Sequence, residues 1–333
     1  MRIGVTYDLR ADYLALGMSE EETAEFDAEI TIASIIAALL GLGHETVRIG
    51  NIRALSARLA AGERFDAVFN ICEGFAGYAR EAQVPALLEA YGIPHVFSDA
   101  LTMALTLDKA WTKCIVRDAG IPTAPYAVIA RPSDAANCAL SYPVFLKPVA
   151  EGSGKGVNGR SRVNTPAELK AVSSELLARF RQPVLVETYL PGREFTVGLV
   201  GTGDTARVFG VLEIAATKKA SGVDYGYENK ERCDENVSYR LVEDAEADAS
   251  AEVALKAWRA LRCRDAGRID IRNDKSGRPQ FLEVNPLAGL NPEHSDLCFL
   301  ARFKGLDYQE LIGLIMDSFL ERNPDLLSRR AAA

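Results

Sequence analysis

Apolar side chains recur along this chain with two different periods, and the alternation between them predicts the first third of the fold. Arg2–Tyr7 places Ile3 and Val5 at every second position and reads as a strand. Ile32, Ile35, Ile36, Leu39 and Leu40 then follow helical spacing, and Gly41 and Gly43 supply the stop. Thr46–Ile49 and Ala67–Asn70 read as strands, Glu81–Tyr91 as a helix and Pro94–Phe97 as another strand. This order predicts a parallel, Rossmann-like sheet of four strands. No GxGxxG follows the first strand, which speaks against a dinucleotide-binding oxidoreductase.

Further along, a helix is predicted over Lys109–Ala119, closed by Gly120 and Pro122, and a strand over Tyr142–Lys147. Glu151-Gly-Ser-Gly-Lys-Gly-Val157 is a glycine-rich loop. Thr165-Pro-Ala-Glu168 reads as a capping box opening a helix to about Phe180. The last part is strand-rich: Val184–Tyr189, Glu194–Gly201 and Arg207–Ile214, then Gly267–Arg272 and Pro279–Asn285 as a hairpin. Between them lie a long polar segment, Ala216–Ser238, and a helix over Asp244–Leu261. An amphipathic helix, Asp307–Arg322, follows.

Composition narrows the function classes. A chain of 333 residues with 48% hydrophobic and 25% charged residues is globular and long enough for two or three domains. A net charge of −8 argues against nucleic-acid and anionic-membrane partners, which need a basic face. The charge is uneven, however. Residues 1–97 hold 7 basic and 14 acidic residues, 98–183 hold 11 and 7, and 184–333 hold 20 and 25. The same limits serve as expected domains: 1–97 Rossmann-like, 98–183 with the glycine loop, and 184–333 with the hairpin. The basic middle section leaves room for a small anion. The uncharged stretch within Ile30–Gly43 is too short to span a bilayer. Six scattered cysteines without a CxxC pair fit reduced thiols, so a cytoplasmic location is expected.

Three constellations carry chemistry. Alternation puts Arg268 and Asp270 on one face of a strand, and Glu283 and Asn285 on one face of the next, with Leu282 and Val284 pointing away. Two carboxylates and an amide oxygen make a hard-oxygen site suited to Mg²⁺. The plainer reading is a solvated, salt-bridged hairpin. In Lys147-Pro148 and the 151–156 loop, three glycines let backbone N–H groups approach a phosphate while Lys147 and Lys155 neutralise it. A flexible surface turn is the alternative. In Glu187-Thr-Tyr-Leu-Pro-Gly-Arg-Glu194, two carboxylates bracket a turn. They can accept from ribose hydroxyls or an adenine amino group, with Tyr189 and Leu190 lining a base pocket; exposed acids on a strand–turn–strand are the alternative.

In this order, Lys109, Lys147 with its loop, Glu187, Glu194, Arg268-x-Asp270 and Glu283-x-Asn285 resemble the ATP-grasp superfamily and, more closely, the D-alanine–D-alanine ligase family. Ile93-Pro94, Leu107-Asp-Lys109, Ala119-Gly-Ile-Pro-Thr123 and Asn285-Pro-Leu-Ala-Gly289 with His294-Ser295 extend the resemblance over nearly the whole chain. It implies an α/β fold of the α+β ATP-grasp type: an N-terminal Rossmann-like parallel sheet, then two subdomains sandwiching ATP. It implies a carboxylate–amine ligase working through an acyl phosphate on two amino acids, with ATP and two Mg²⁺ (or Mn²⁺), acting as a homodimer.

Residue by residue, the resemblance implies that Lys109 and Lys147 hold phosphates under the Gly152, Gly154 and Lys155 loop. Glu187, Tyr189 and Leu190 meet adenine and Glu194 the ribose. Asp270, Glu283 and Asn285 bind metal, and Arg268 stabilises the transition states. Lys230 reaches the γ-phosphate, and Gly289, Ser295 and His294 serve the second amino acid's carboxylate. Departures gather on the first-substrate side. The family's Ser-Ala-Glu acid is replaced by Asp27, with Glu25 or Glu29 as alternatives. Its loop Lys-Tyr becomes Lys230-Glu231, beside a retained Ser153, and its His-Gly segment becomes Asn70-Ile-Cys-Glu73-Gly74. D-alanyl-D-alanine synthesis, a related ligase for another amino acid or peptide, and a non-catalytic nucleotide-binding relative are the readings this leaves.

Overall fold

The computed structural model describes residues 1–216 and 237–326. Three sheets organise it. The first is parallel: β1 (Arg2–Tyr7), β2 (Glu45–Gly50) and β3 (Ala67–Ile71), in the order β2-β1-β3. Helices α1 (Arg10–Ala15), α2 (Glu29–Gly41), α3 (Ile52–Ala60) and α4 (Gln83–Ala90) belong to this part. The expected fourth strand is reduced to one bridge between Val68 and His95. Val96 N–H donates to Val68 O at 2.9 Å, but Phe97 then turns to φ 73° and leaves the extended region. Its N–H is taken by Asp265 instead, at 2.7 Å.

Helices α5 (Ala100–Leu107) and α6 (Lys109–Asp118) lead to an antiparallel sheet. It consists of β4 (Tyr126–Ile129), β5 (Val144–Pro148), β6 (Arg162–Val163) and β7 (Val184–Thr188), in the order β4-β7-β5-β6. Its apolar face, with Val144, Leu146 and Val186, packs on Leu169, Val172 and Leu176 of α7 (Pro166–Phe180). The expected capping box is only half formed. Thr165 accepts from Glu168 N–H at 3.2 Å, but the Glu168 carboxylate accepts from Asn164 N–H, one residue early.

The third sheet is antiparallel: β8 (Glu194–Val200), β9 (Arg207–Ala216), β10 (Val237–Leu241), β11 (Ala266–Asn273) and β12 (Pro279–Asn285), in the order β10-β9-β8-β11-β12. On one face, α8 (Ala245–Ala260) brings Ala254, Ala257 and Trp258 against Val197, Leu199 and Ile269. On the other lies α9 (Asp296–Phe303). A Cβ at Gly198 would stand 2.5 Å from a Leu300 methyl, so the missing side chain is what admits this helix. Finally α10 (Tyr308–Glu321) returns to the first part, where Ile315 and Phe319 share a core with Ile35 and Leu39 of α2. Asp265 anchors this return: fully buried, it accepts from Arg322 Nε at 2.8 Å and Nη2 at 2.7 Å. No helix among the described residues is long and apolar enough to cross a membrane.

Candidate active site

The β11–β12 hairpin places Arg268 opposite Asn285 and Asp270 opposite Glu283. The four polar side chains expected on one surface are thus brought together by register. Leu282 departs from the expectation. The register steps from Asp270↔Glu283 to Ile271↔Phe281, which leaves Leu282 as the extra residue of a bulge. It lines a cleft beside Glu283 instead of pointing away. Asp270 accepts from Thr196 Oγ1 at 2.7 Å and from Asn285 Nδ2 at 3.3 Å. Arg268 Nε lies 3.1 Å from Asp296 and 3.7 Å from Asp270.

That cleft, about 100 Å³, runs between the second and third sheets. Lys147 at the end of β5 lies 3.3 Å from both Glu187 and Glu283, and Lys109 lies 3.6 Å from Glu283. Lys113 has no exposed surface and meets Glu187 at 2.6 Å. Burial pushes the Glu187 carboxyl up, but Lys113 and Lys147 outweigh it and hold its pKa below the usual range. Burial likewise lowers Lys147, but Glu187 and Glu283 prevail and raise it. For Lys113 burial prevails, and its pKa is lowered. Tyr189, Leu190 and Glu194 line the same cleft. Glu194 pairs with Arg272 at 3.3 Å, and that guanidinium lies 5.3 Å from the Tyr189 ring.

The glycine-rich loop closes one side. Ser153, Gly154 and Gly156 all have positive φ, at 50°, 69° and 77°. Its anchor comes from the first part of the chain. Glu25 accepts from Gly152 N–H at 2.6 Å and Lys155 Nζ at 2.8 Å, and Arg80 lies 3.2 Å away. A Cβ on Gly152 would fall 2.2 Å from Glu25 Oε1 and would displace this carboxylate from the loop. Burial raises the Glu25 carboxyl, yet Arg80 and Lys155 hold it below its ordinary value.

Beyond the cleft lies a cavity of about 450 Å³, lined by Asp27, Ser153, Arg268, Gly289, His294 and Ser295. Ser295 precedes α9 and accepts from Asn291 N–H at 2.8 Å. A Cβ at Gly289 would stand 2.9 Å from its hydroxyl. His294 is 56% exposed and 3.8 Å from Glu293. The three acids offered for the first-substrate position separate cleanly. Glu25 and Asp27 both line the cavity, but Glu25 is bound to the glycine loop, Lys155 and Arg80, whereas Asp27 makes no ion pair among the described residues; Glu29 pairs with Arg48 at 2.7 Å. Burial, reinforced by Asp8, pushes the Asp27 carboxyl up to about 7.

Lys230 and Glu231 lie outside the described residues. Sequence reasoning missed Lys113, Arg80, Glu81, Thr196 and Asp296. Lys113 had a signal, one helical turn after Lys109; Asp296 directly follows Ser295. Arg80, Glu81 and Thr196 carry no motif. Among the described residues no three His, Cys, Asp or Glu side chains form a metal cluster. The all-oxygen set of Asp270, Glu283 and Asn285 nevertheless fits a hard cation that completes its shell with phosphate and water.

Comparison with known proteins bears on this geometry. Residues 115–317 match the family model for the D-ala D-ala ligase C-terminus. An uncharacterized protein, y4sG, of Sinorhizobium fredii is 32% identical over 300 residues, covering 85% of each chain. The D-alanine–D-alanine ligase of Xanthomonas axonopodis pv. citri is 33% identical over 296 residues, covering 86% of this chain and 88% of its own. The fold matches the crystal structure of the Bacillus anthracis D-alanine–D-alanine ligase complexed with ATP, with a TM-score of 0.72 at 21% identity, over 98% of this chain and 99% of that one. The chain belongs to the D-alanine–D-alanine ligase family and is an ATP-dependent ligase of the ATP-grasp fold.

Proposed function

We propose that this ligase joins two amino acids through an acyl phosphate, as D-alanine–D-alanine ligases do. One observation carries the reading: the cleft and the cavity meet at shared walls, Lys109 and Glu283, so a phosphate end and an amino-acid end adjoin. A carboxylate oxygen of the first amino acid attacks the γ-phosphorus and ADP leaves. The amine of the second attacks the acyl carbon, and inorganic phosphate leaves.

In this scheme Lys109, Lys147 and Lys155 neutralise the triphosphate, which phosphoryl transfer needs more than covalent help. Glu187, Tyr189 and Leu190 hold adenine and Glu194 the ribose. Asp270, Glu283 and Asn285 would hold two Mg²⁺, which supply further charge neutralisation when bound. Arg268 stabilises the charge that builds during both steps. Asp27 takes the first amine, and Gly289 with Ser295 the second carboxylate, beside His294. Ser153 stands on the loop side, where water that would hydrolyse the acyl phosphate has to be excluded, and Lys230 with Glu231, outside the described residues, keeps the γ-phosphate role that the resemblance implies. Three units at 1–97, 98–183 and 184–333 are supported by the three sheets, with the second boundary moved past Thr188 because β7 pairs with β4 and β5. A homodimer and a cytoplasmic location complete the proposal; five unpaired cysteines among the described residues support the latter.

The test is an ADP-release assay. ADP should form only when ATP, Mg²⁺ and an amino acid are present together. Arg268→Ala should lower kcat by about 100-fold or more while ATP still binds. Turnover that survives the substitution removes Arg268 from the mechanism, and ADP formation indifferent to amino acids removes the two-substrate reading.

A further inference from the structure

Resting on the ligase reading above, we infer that the first-substrate end of the cavity takes an amino acid whose side chain carries a positive charge. Three acids form that end. Asp27 precedes α2, Glu73 follows β3, and Glu81 sits on the 3-10 turn Arg80–Ala82. All three lie outside the carboxyl edge of the parallel sheet, where open α/β sheets receive ligands.

Charge pairing separates these three from the other carboxylates lining the cavity. Glu25 is matched by Arg80 and Lys155, Glu151 by Lys155, Glu283 by Lys109 and Lys147, and Asp296 by Arg268. Asp27, Glu73 and Glu81 make no ion pair among the described residues. Arg10, the remaining lining cation on this side, pairs with Glu20 at 2.5 Å. That the space receives a ligand at all rests on different residues: Arg268, Glu283 and Ser295, on the opposite wall.

A neutral amino acid brings one ammonium, and its carboxylate faces the phosphate. One ammonium leaves two of the three acids unanswered. A side-chain ammonium or guanidinium answers a second, and a carboxylate enclosed without a partner is unfavourable. The acids already register the lack. Burial, then Glu81 and Glu25, raise the Glu73 carboxyl well above its ordinary value, and burial raises Glu81 to about 7 against the pull of Arg80. A metal ion is a poorer occupant, because the described residues hold no three-acid cluster of metal-binding form.

The experiment compares same-length substrates in the full-length enzyme. Lysine, ornithine and 2,4-diaminobutyrate, in both configurations, are assayed for ATP- and Mg²⁺-dependent ADP release, each alone and with alanine. Norleucine, norvaline and 2-aminobutyrate are the uncharged controls. At least one basic substrate should exceed its control by about tenfold or more in kcat/KM, the scale of one charge-assisted hydrogen bond. Glu73→Gln and Glu81→Gln should each raise KM for that substrate several-fold while leaving KM for its control within about twofold. The substrate comparison needs no variant, so it stands if either substitution impairs folding. Amino-acid-dependent ADP release with controls equal to or better than the basic substrates overturns the inference and leaves the ligase reading intact. ADP release that depends on no amino acid overturns both.

Discussion

Asp27 illustrates how a single side chain reports its surroundings. Its ordinary pKa is about 4, and burial lifts it to about 7 in the folded protein. Between those values the unfolded chain has released the proton and the folded chain has not. Stability therefore falls as pH rises from about 4 to about 7, and the whole penalty is present above that. Asparagine never ionises. Asp27→Asn should thus raise Tm at pH 8 by about 3 °C, the effect of roughly 1 kcal/mol in a chain of this size, and leave it unchanged at pH 4. The cavity wets part of this side chain, which keeps the figure below the full linkage value. Differential scanning fluorimetry at both pH values measures it, and an equal shift at each would dismiss the titration account. The residue scale is also where the sequence was least complete. In the linear text Asp27 led by its place in the resemblance, but Glu25 and Glu29, acids within the same five positions, stood as alternatives. Only their partners tell them apart: Gly152 and Lys155 hold Glu25, Arg48 holds Glu29, and Asp27 faces the cavity with no ion pair among the described residues.

Among elements, the glycine-rich loop is the most constrained. At Gly156 a Cβ would stand 2.7 Å from Pro148 and 2.9 Å from Phe180, at φ 77°. Gly156→Ala must push the loop away from β5 and carry Lys155 with it. KM for ATP should rise about tenfold with Tm nearly unchanged; steady-state kinetics with unaltered KM would show the loop's position to be unimportant. That a loop stands here was legible from three glycines in five residues, but those glycines fit a flexible surface turn as well as a phosphate cover. The β11–β12 hairpin was legible because its period of two is strict, but the bulge at Leu282 was not, since one extra residue leaves no mark on hydrophobicity. The helix α3 escaped notice although Asn51 caps it, accepting from Arg53 and Ala54 N–H. The helix α5 (ALTMALTL) is apolar on most sides and shows no stripe to detect. The strand β10 lies at the far end of a polar stretch, and its antiparallel pairing with β9, Tyr239 opposite Ile214 and Leu241 opposite Leu212, is one that no local pattern encodes.

For the whole molecule, the return of α10 onto α2 decides how the parts hold together. Asp265 joins the first part, the third sheet and the end of α10 through Phe97 and Arg322, with none of its surface exposed. Arg322→Ala would leave that carboxylate enclosed with no counter-charge, although Phe97 N–H still donates to it. A loss of about 3–5 kcal/mol is expected, read as a shift in urea midpoint without a change in slope. A loss below about 1 kcal/mol would mean that the helix packing alone suffices. The sequence foretold the helix but not its destination, because Ile315 and Phe319 only identify a buried face. What they face is settled by Ile35 and Leu39, nearly three hundred residues earlier.

Glu25 reaches from the first part to the backbone of the glycine-rich loop, which the proposed scheme sets over the triphosphate. The loop therefore cannot settle over ATP independently of the segment that carries Asp27 two residues later. Whatever free energy ATP contributes to ordering that segment is returned as tighter amino-acid binding, and by the same factor the amino acid tightens ATP. In the proposed scheme such reciprocity limits idle hydrolysis, because without its partner each substrate meets a weaker version of its own site.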